Sequence, residues 1–342
     1  MKSILDLPAL HFVGHSGKIA RLAKIADRAM FIPDANLVLC LLQKGSDFTA
    51  LPEAYRSYLL ATRVRVRRYW HEREEWIPVN PTYAAMELGS QDVRPDRVQF
   101  DRYFTQFLSH LYQINNVDPR WIDDCFTNAQ GLISSFLPSL IRIFSKALEL
   151  MPAESGTTDV QVERAVMAMC DWLEAEVDHL AVIGGLPLYV IIYAFAGSPE
   201  ARRILKPHRA RKLGAPAVAR NIAWDFIYYV HREFSYLYRQ YNDDIFCTAD
   251  IALADLLAAK IHHGPRYERP LLEQLDSIDS FGEFLSFHLS RLNGTRLSKR
   301  LEERVVLLLA RASVSRDTVA IGFTKSGLLP VSQTPEFRHL EN

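Results

Sequence analysis

Several features that would identify a class of protein are missing or scarce in this chain. The formal net charge is zero, with 40 basic and 40 acidic residues, so overall charge does not indicate a nucleic-acid partner. The four cysteines lie far apart without paired spacing, which favours reduced thiols in a cytoplasmic protein over a disulfide framework or a zinc site. No Gly-x-Ser-x-Gly sequence occurs, so the motif that carries the nucleophilic serine of α/β-hydrolases is missing. The run Gly14–Lys18 (GHSGK) is too short for a phosphate-binding P-loop.

Long hydrophobic runs are also scarce. The N-terminal residues lack the apolar core of a secretory signal peptide. The uncharged run from Leu180 to Gly197 reaches the lower length limit of a transmembrane helix, but Gly184, Gly185 and Pro187 interrupt it. We therefore predict a buried core helix from Pro187 to Ala196, no membrane association and a cytoplasmic location.

Two short apolar runs each stop at an aspartate. The run Met30–Pro33 precedes Asp34, and the run Ile245–Ala249 precedes Asp250; a helix-like stretch follows each aspartate. Because ligands of open parallel sheets bind at the carboxyl ends of the strands, the two carboxylates predict one acidic site in an α/β fold. The alternative for each aspartate is a helix N-cap, a role that aspartate fills well.

Two further acids lie on predicted helices. Asp225 is surrounded by apolar and aromatic residues inside a helix, where a charge needs a partner, a metal or solvent. Its alternative role is an ion pair with the basic segment just upstream. Glu87 lies on the short helix that follows the strand candidate at 76–79, and its alternative role is a solvated helix-end residue.

In their order along the chain, these four acids resemble the PIN-like nuclease family. The most specific part is the helical Asp225 followed by a strand that ends in Thr248-Ala249-Asp250. The separation of Glu87 from Asp225 is longer than in compact members of the family, which indicates a helical insertion.

The resemblance implies an α/β fold with a three-layer α/β/α core, a parallel sheet, a large helical insertion and a C-terminal helical extension. The expected organisation is 1–93 for the N-terminal half of the core, 94–180 for the insertion, 181–262 for the C-terminal half, and 263–342 for an extension with a candidate last strand.

The resemblance also implies a metal-dependent endoribonuclease. Asp34, Glu87, Asp225 and Asp250 would be the catalytic cluster that holds Mg²⁺ or Mn²⁺, since these ions prefer oxygen ligands. The side chains that would orient this cluster are Asn36, Asn221 and Thr248.

Two basic stretches offer contacts to the RNA backbone. Their predicted nucleic-acid-binding residues are Arg63, Arg67, Arg68, Arg202, Arg203, Lys206, Arg209, Arg211 and Lys212. The alternative for each stretch is a solvated helix face balanced by acids.

Several partners and roles stay open at this point. RNA is the expected substrate, single-stranded DNA is a narrower variant, and a toxin or anti-phage role would bring an inhibitor or a defence-system partner protein. A homodimer is also open. The rival hypothesis is a non-catalytic PIN-like module that binds a protein or RNA.

Overall fold

The computed structural model describes residues 9–258, with gaps at 15–16, 19–28, 45–48, 50, 72–77, 92–93, 153–158, 177–184, 196, 198 and 238–243. The helices and the last strand that were predicted within 263–342 lie outside the described residues. Contacts divide the described chain into two compact units. The first contains residues up to Gln130 together with Phe234 onward, and the second is Gly131–Glu233.

The first unit contains the six strands found among the described residues. They are β1 (His11–Gly14), β2 (Gly17–Lys18), β3 (Met30–Pro33), β4 (Ser90–Gln91), β5 (Arg94–Pro95) and β6 (Asp244–Thr248). Its helices are α1 (Ala35–Lys44), α2 (Glu53–His71), α3 (Thr82–Gly89), α4 (Arg97–Tyr112), the start of α5 (Pro119–Leu150) and α11 (Ile251–Ala258).

The main sheet has the strand order β2-β1-β6-β3. Strand β6 pairs parallel with β3, with Ile245 opposite Phe31, and its other side pairs antiparallel with β1. Beyond β3, Val79 forms one further parallel bridge with Phe31. All four residues of β3 are buried, as expected for a strand covered on both faces.

The fold is therefore a mixture of helices and strands, as predicted, with helices in the majority. The described sheet itself is mixed, because β1 runs antiparallel beside the parallel pair of β3 and β6. The predicted strand and helix around Asp34 are found as β3 and α1, and those around Asp250 as β6 and α11.

Three helices of the first unit pack on one another: α1 contacts α3 and α4, and α3 lies along α4. Aspartate 96 caps α4, since its carboxylate accepts hydrogen bonds from the N–H groups of Val98 and Gln99. The buried face of α4 repeats at three to four residues through Phe100, Phe104 and Phe107, which is the spacing of one helix face.

The second unit is helical throughout its described residues. After the remainder of α5 it contains α6 (Asp159–Glu176), α7 (Gly185–Phe195), α8 (Pro199–Leu205), α9 (Pro207–Leu213) and α10 (Ala215–Leu237). In this division residues 94–130 group with the sheet, and the predicted insertion 94–180 stays a prediction.

Two apolar helices bear on the question of a membrane. In the described part of the chain, only α5 has the length and composition of a membrane span, and 56% of its most apolar window is buried inside the protein. Helix α7 matches the predicted core helix, with Leu188, Ile191 and Phe195 buried. Such burial is found in helices that pack into a protein core.

Gly89→Ala should destabilise the first unit. An added Cβ would lie 2.9 Å from the backbone nitrogen of Phe100 and 3.1 Å from the carbonyl carbon of Gln99, so α3 and α4 would have to move apart. We expect a loss of about 1–3 kcal/mol in the free energy of unfolding, measured with urea. The neighbouring Ser90→Ala adds no atoms and loses only the hydrogen bond from its hydroxyl to the carbonyl of Met86, at about 1 kcal/mol. A cost for Gly89→Ala no greater than that of Ser90→Ala would contradict the close-packing argument.

Acid should destabilise the protein in part through His231. Burial lowers the pKa of this half-buried side chain on α10 to about 3, whereas an unfolded histidine has a pKa of about 6.5. Below pH 6.5 the unfolded chain therefore binds a proton that the folded chain does not, and this penalty grows until about pH 3.

The difference in unfolding free energy between wild type and His231→Gln measures this effect. We expect the variant to lose less stability than wild type as the pH falls from 7 to 4. Parallel pH profiles would show that His231 titrates alike in both states.

Candidate functional site at the carboxyl edge of the sheet

Asp34 is the first residue after β3 and is only 3% exposed. Its backbone N–H donates to the carbonyl of Cys247 on the neighbouring strand, at 2.9 Å. Its Oδ1 accepts a hydrogen bond of 2.7 Å from the N–H of Leu37, which is the geometry of a helix N-cap. The buried carboxylate thus fixes the junction between β3 and α1.

Thr248 joins Asp34 to the end of β6. Its hydroxyl donates to Oδ2 of Asp34 at 2.5 Å and accepts from the N–H of Asp250 at 2.9 Å. The threonine itself is 1% exposed. A single hydroxyl therefore connects two acidic residues that are far apart in the sequence, and both lie at the same edge of the sheet.

Asp250 repeats the arrangement of Asp34 on the second strand. Its Oδ1 accepts a hydrogen bond of 2.7 Å from the N–H of Ala252, and so it caps α11. The residue is half-buried. Both strand-end aspartates consequently take the capping role that the sequence left open as an alternative.

A third polar residue, Asn80, lies where the chain leaves its bridge with β3. The N–H of Asn80 donates to the carbonyl of Phe31 at 2.8 Å. Its Oδ1 accepts from the N–H of Thr82 at 3.0 Å, and the Thr82 hydroxyl donates to the same oxygen. Three neighbouring parallel segments therefore each end in an Asp or Asn that holds the first turn of a helix.

The electrostatic environment of this edge is set by the buried charge of Asp34. Burial raises the pKa of the Cys247 thiol, and the negative charge of Asp34 raises it further. The pKa of Tyr55 is raised by burial, by Cys40 and by Asp34.

The other predicted members of the acidic cluster have different surroundings. Glu87 is half-buried on α3, whereas Asn36 on the first turn of α1 is exposed. On α10 of the second unit, Asn221 is exposed. The structure thus links Asp34 and Asp250 through Thr248, and membership of the other residues stays a prediction.

Asp225 has a cationic partner within the second unit. Its Oδ2 lies 3.2 Å from Nζ of Lys206, and the two side chains are only 15% and 11% exposed. This is the ion pair with the upstream basic segment that the sequence left open. Removing one member of such a buried pair is costly, because the other charge remains without compensation.

The predicted nucleic-acid-binding cations fall into two groups. In the first group, Arg63 donates to the carbonyl of Leu111 at 2.7 Å, and Arg202 donates to the carbonyl of Ala194 at 2.9 Å. These two side chains and Lys206 form contacts between helices. The exposed group consists of Arg67, Arg203, Arg209, Arg211 and Lys212. The side chain of Arg68 lies outside the described residues.

Asn80 is the residue at this edge that sequence reasoning missed. Asparagine followed by proline is a pattern of helix starts, but nothing in its local pattern indicates that the preceding segment bridges β3.

Comparison with protein-family models, with curated proteins and with solved structures finds no match to this chain. Among the described residues, no group of three or more His, Cys, Asp or Glu side chains is placed to hold a metal ion. The site that the geometry defines is therefore the pair Asp34 and Asp250 with Thr248 between them.

Thr248→Val should destabilise the first unit, because it removes the hydroxyl and keeps the shape of the side chain. Oδ2 of Asp34 would lose its donor and the N–H of Asp250 its acceptor, at a cost of about 1–3 kcal/mol in the free energy of unfolding. Urea unfolding at pH 7 measures this cost.

Thr248→Ser keeps the hydroxyl and is the matched control. It deletes a buried methyl group, which costs about 1 kcal/mol, so we expect its total cost to be smaller than that of Thr248→Val, which leaves two buried polar groups unsatisfied. If the two variants unfold at the same urea concentration, the hydroxyl does not hold this edge together.

Proposed function

We propose that the chain is a metal-dependent endoribonuclease of the PIN-like kind, with its acidic site at the carboxyl edge of the sheet. The observation that carries the proposal is the Asp34–Thr248–Asp250 connection, which brings two carboxylates from distant parts of the chain to one edge. Carboxyl edges of parallel strands are where such folds bind ligands. The order of the acids along the sequence supports the same family.

The donor chemistry fits Mg²⁺ or Mn²⁺, because both ions prefer carboxylate oxygens. Asp34 and Asp250 would be the ligands at the edge, with Glu87 and Asp225 supplied by the sequence resemblance. When bound, such an ion would neutralise charge on the phosphodiester. Thr248 would keep Asp34 oriented, a supporting contact of the kind that tunes metal sites.

The biological setting forms part of the same proposal. RNA is the substrate that the resemblance implies, with single-stranded DNA as the narrower variant. A toxin or anti-phage role would place an inhibitor or another defence protein beside this chain in the cytoplasm, and a homodimer is compatible with it.

Replacing either edge aspartate by asparagine tests the proposal. Asparagine caps a helix about as well as aspartate, so Asp250→Asn removes the charge and keeps the cap. Asp34→Asn also removes one of the two oxygens that accept from Leu37 and Thr248, so its unfolding free energy is measured beside its activity. We expect RNA cleavage in Mn²⁺ to fall at least about 100-fold, since even supporting residues of metal sites cost 10–100-fold. Gel analysis of a labelled RNA over time measures the rate.

Asp96→Asn is the matched control, because Asp96 caps α4 with the same chemistry. It should cleave RNA like wild type. Cleavage at equal rates by all four proteins, or by none of them, would overturn the proposal.

A second candidate, a non-catalytic PIN-like module, is favoured by the roles of the acids. Asp34 and Asp250 cap helices, and Asp225 pairs with Lys206, so each acid has a structural reason to be present. Metal binding separates the two candidates, because a ligand that binds the folded state raises the melting temperature.

The nuclease should melt at a higher temperature in millimolar Mn²⁺, and Asp34→Asn should remove that rise. A melting temperature that Mn²⁺ leaves unchanged, together with RNA binding without cleavage, would establish the module instead.

A further inference from the structure

The segment around α8 and α9 is the most one-sided in charge that the structure describes. Residues 201–224 contain seven Lys and Arg residues and no Asp or Glu. In a chain whose net charge is zero, acids elsewhere must balance this segment, and the acid-free stretch produces a local positive potential.

Two of the seven cations face inward and hold the segment in place. Arg202 on α8 donates to the carbonyls of Ala194 and Pro152, at 2.9 Å and 3.4 Å. Lys206 pairs with Asp225 on α10. These two cations connect α8 and α9 to their neighbours and are not available to a ligand.

The backbone bends between α8 and α9 at Lys206, whose φ of 50° lies in the left-handed region. Non-glycine residues adopt this region rarely and at a cost in free energy. Here the bend is held by the buried ion pair of Lys206 and by its N–H, which donates to the carbonyl of Arg202 at 2.8 Å. Because of this bend, α9 does not continue the axis of α8.

The outer cations of α9 are exposed to solvent. Arg209, Arg211 and Lys212 lie within four residues of one another, and none of them forms an ion pair with another described residue. We call these three residues the α9 cationic surface. Burial would be expensive for such charges, so their exposure leaves them free to meet an anionic partner.

The composition of α9 favours a phosphate backbone over a lipid surface. Helices that lie on membranes need a broad apolar face beside their cations. Here the exposed apolar side chain is Leu213 alone, at 64% exposure, while Pro207 is buried. Arginine side chains pair with phosphate oxygens through two parallel hydrogen bonds.

We infer that the α9 cationic surface binds the phosphates of single-stranded RNA, while Arg202 and Lys206 hold α9 in position. The choice of RNA as the polyanion rests on the proposed function. The division of the segment into outer binding cations and inner structural cations rests on the contacts alone.

Salt dependence of RNA binding tests the inference. Each phosphate contact with a single strand contributes about 0.7 to the slope of log K against log salt. Arg209→Gln/Arg211→Gln/Lys212→Gln should therefore lower that slope by about 2 and weaken binding about tenfold or more at low salt. Fluorescence anisotropy of a labelled single-stranded RNA measures both, in EDTA and in an Asp250→Asn background, so that cleavage plays no part.

The control variant is Arg94→Gln/Arg102→Gln/Arg120→Gln, which removes the same charge from exposed positions of the first unit. It should leave the slope nearly unchanged. Lys206→Met should lower the melting temperature more than either triple variant, since it removes the cation that pairs with the buried carboxylate of Asp225. Equal effects of the two triple variants on binding, or no effect of the α9 variant, would overturn the inference.

Binding to vesicles that contain phosphatidylserine tests the alternative that the α9 cationic surface is a lipid site. If the protein binds them through the three α9 cations but does not bind RNA, the surface is a lipid site and the inference is wrong. If RNA binds through the three α9 cations but is not cleaved, the inference about this surface stands and the proposed nuclease function is wrong. If RNA is cleaved and the α9 variant binds RNA as tightly as wild type, the nuclease function stands and the inference is wrong.

Discussion

The hydroxyl of Thr248 is the contact on which the edge of the sheet depends. It connects the buried carboxylate of Asp34 to the backbone of Asp250, residues that the chain separates by more than half its length. The parallel pairing of β3 with β6 puts the two strand ends side by side, and the hydroxyl then sets the direction in which both helices begin. The caps of α1 and α11, and the proposed acidic site, all require this arrangement.

The sequence predicted the two strand–helix junctions well, because an apolar run that stops at Asp and continues into a helical pattern is a strong local signal. It did not predict the antiparallel partner β1, whose four residues carry no turn or periodic signal of their own. Asn80 has the local pattern of a helix start, but the pairing of its segment with β3 depends on one bridge between distant residues. Local patterns determine where elements begin, and tertiary contacts determine which of them become neighbours.

The charged residues also show that a local sequence pattern does not determine which side chains meet in the folded protein. The sequence grouped Arg202 and Lys206 with the outer cations because all of them lie in one basic stretch. The fold separates them, since a left-handed residue between two short helices turns Lys206 toward Asp225. Burial of Asp225 among aromatic residues indicated that it needed a partner, but only the packing of α10 against this segment identifies which cation it is.

The three caps at the carboxyl edge have one further consequence. Helix N-termini normally attract anions, because their first N–H groups lack partners. At this edge one of those N–H groups in each helix, that of Leu37, Thr82 or Ala252, already donates to a side-chain oxygen of Asp34, Asn80 or Asp250. A phosphate group that approached this edge would therefore meet side-chain oxygens at each helix start, whereas an uncapped helix start presents only backbone N–H groups.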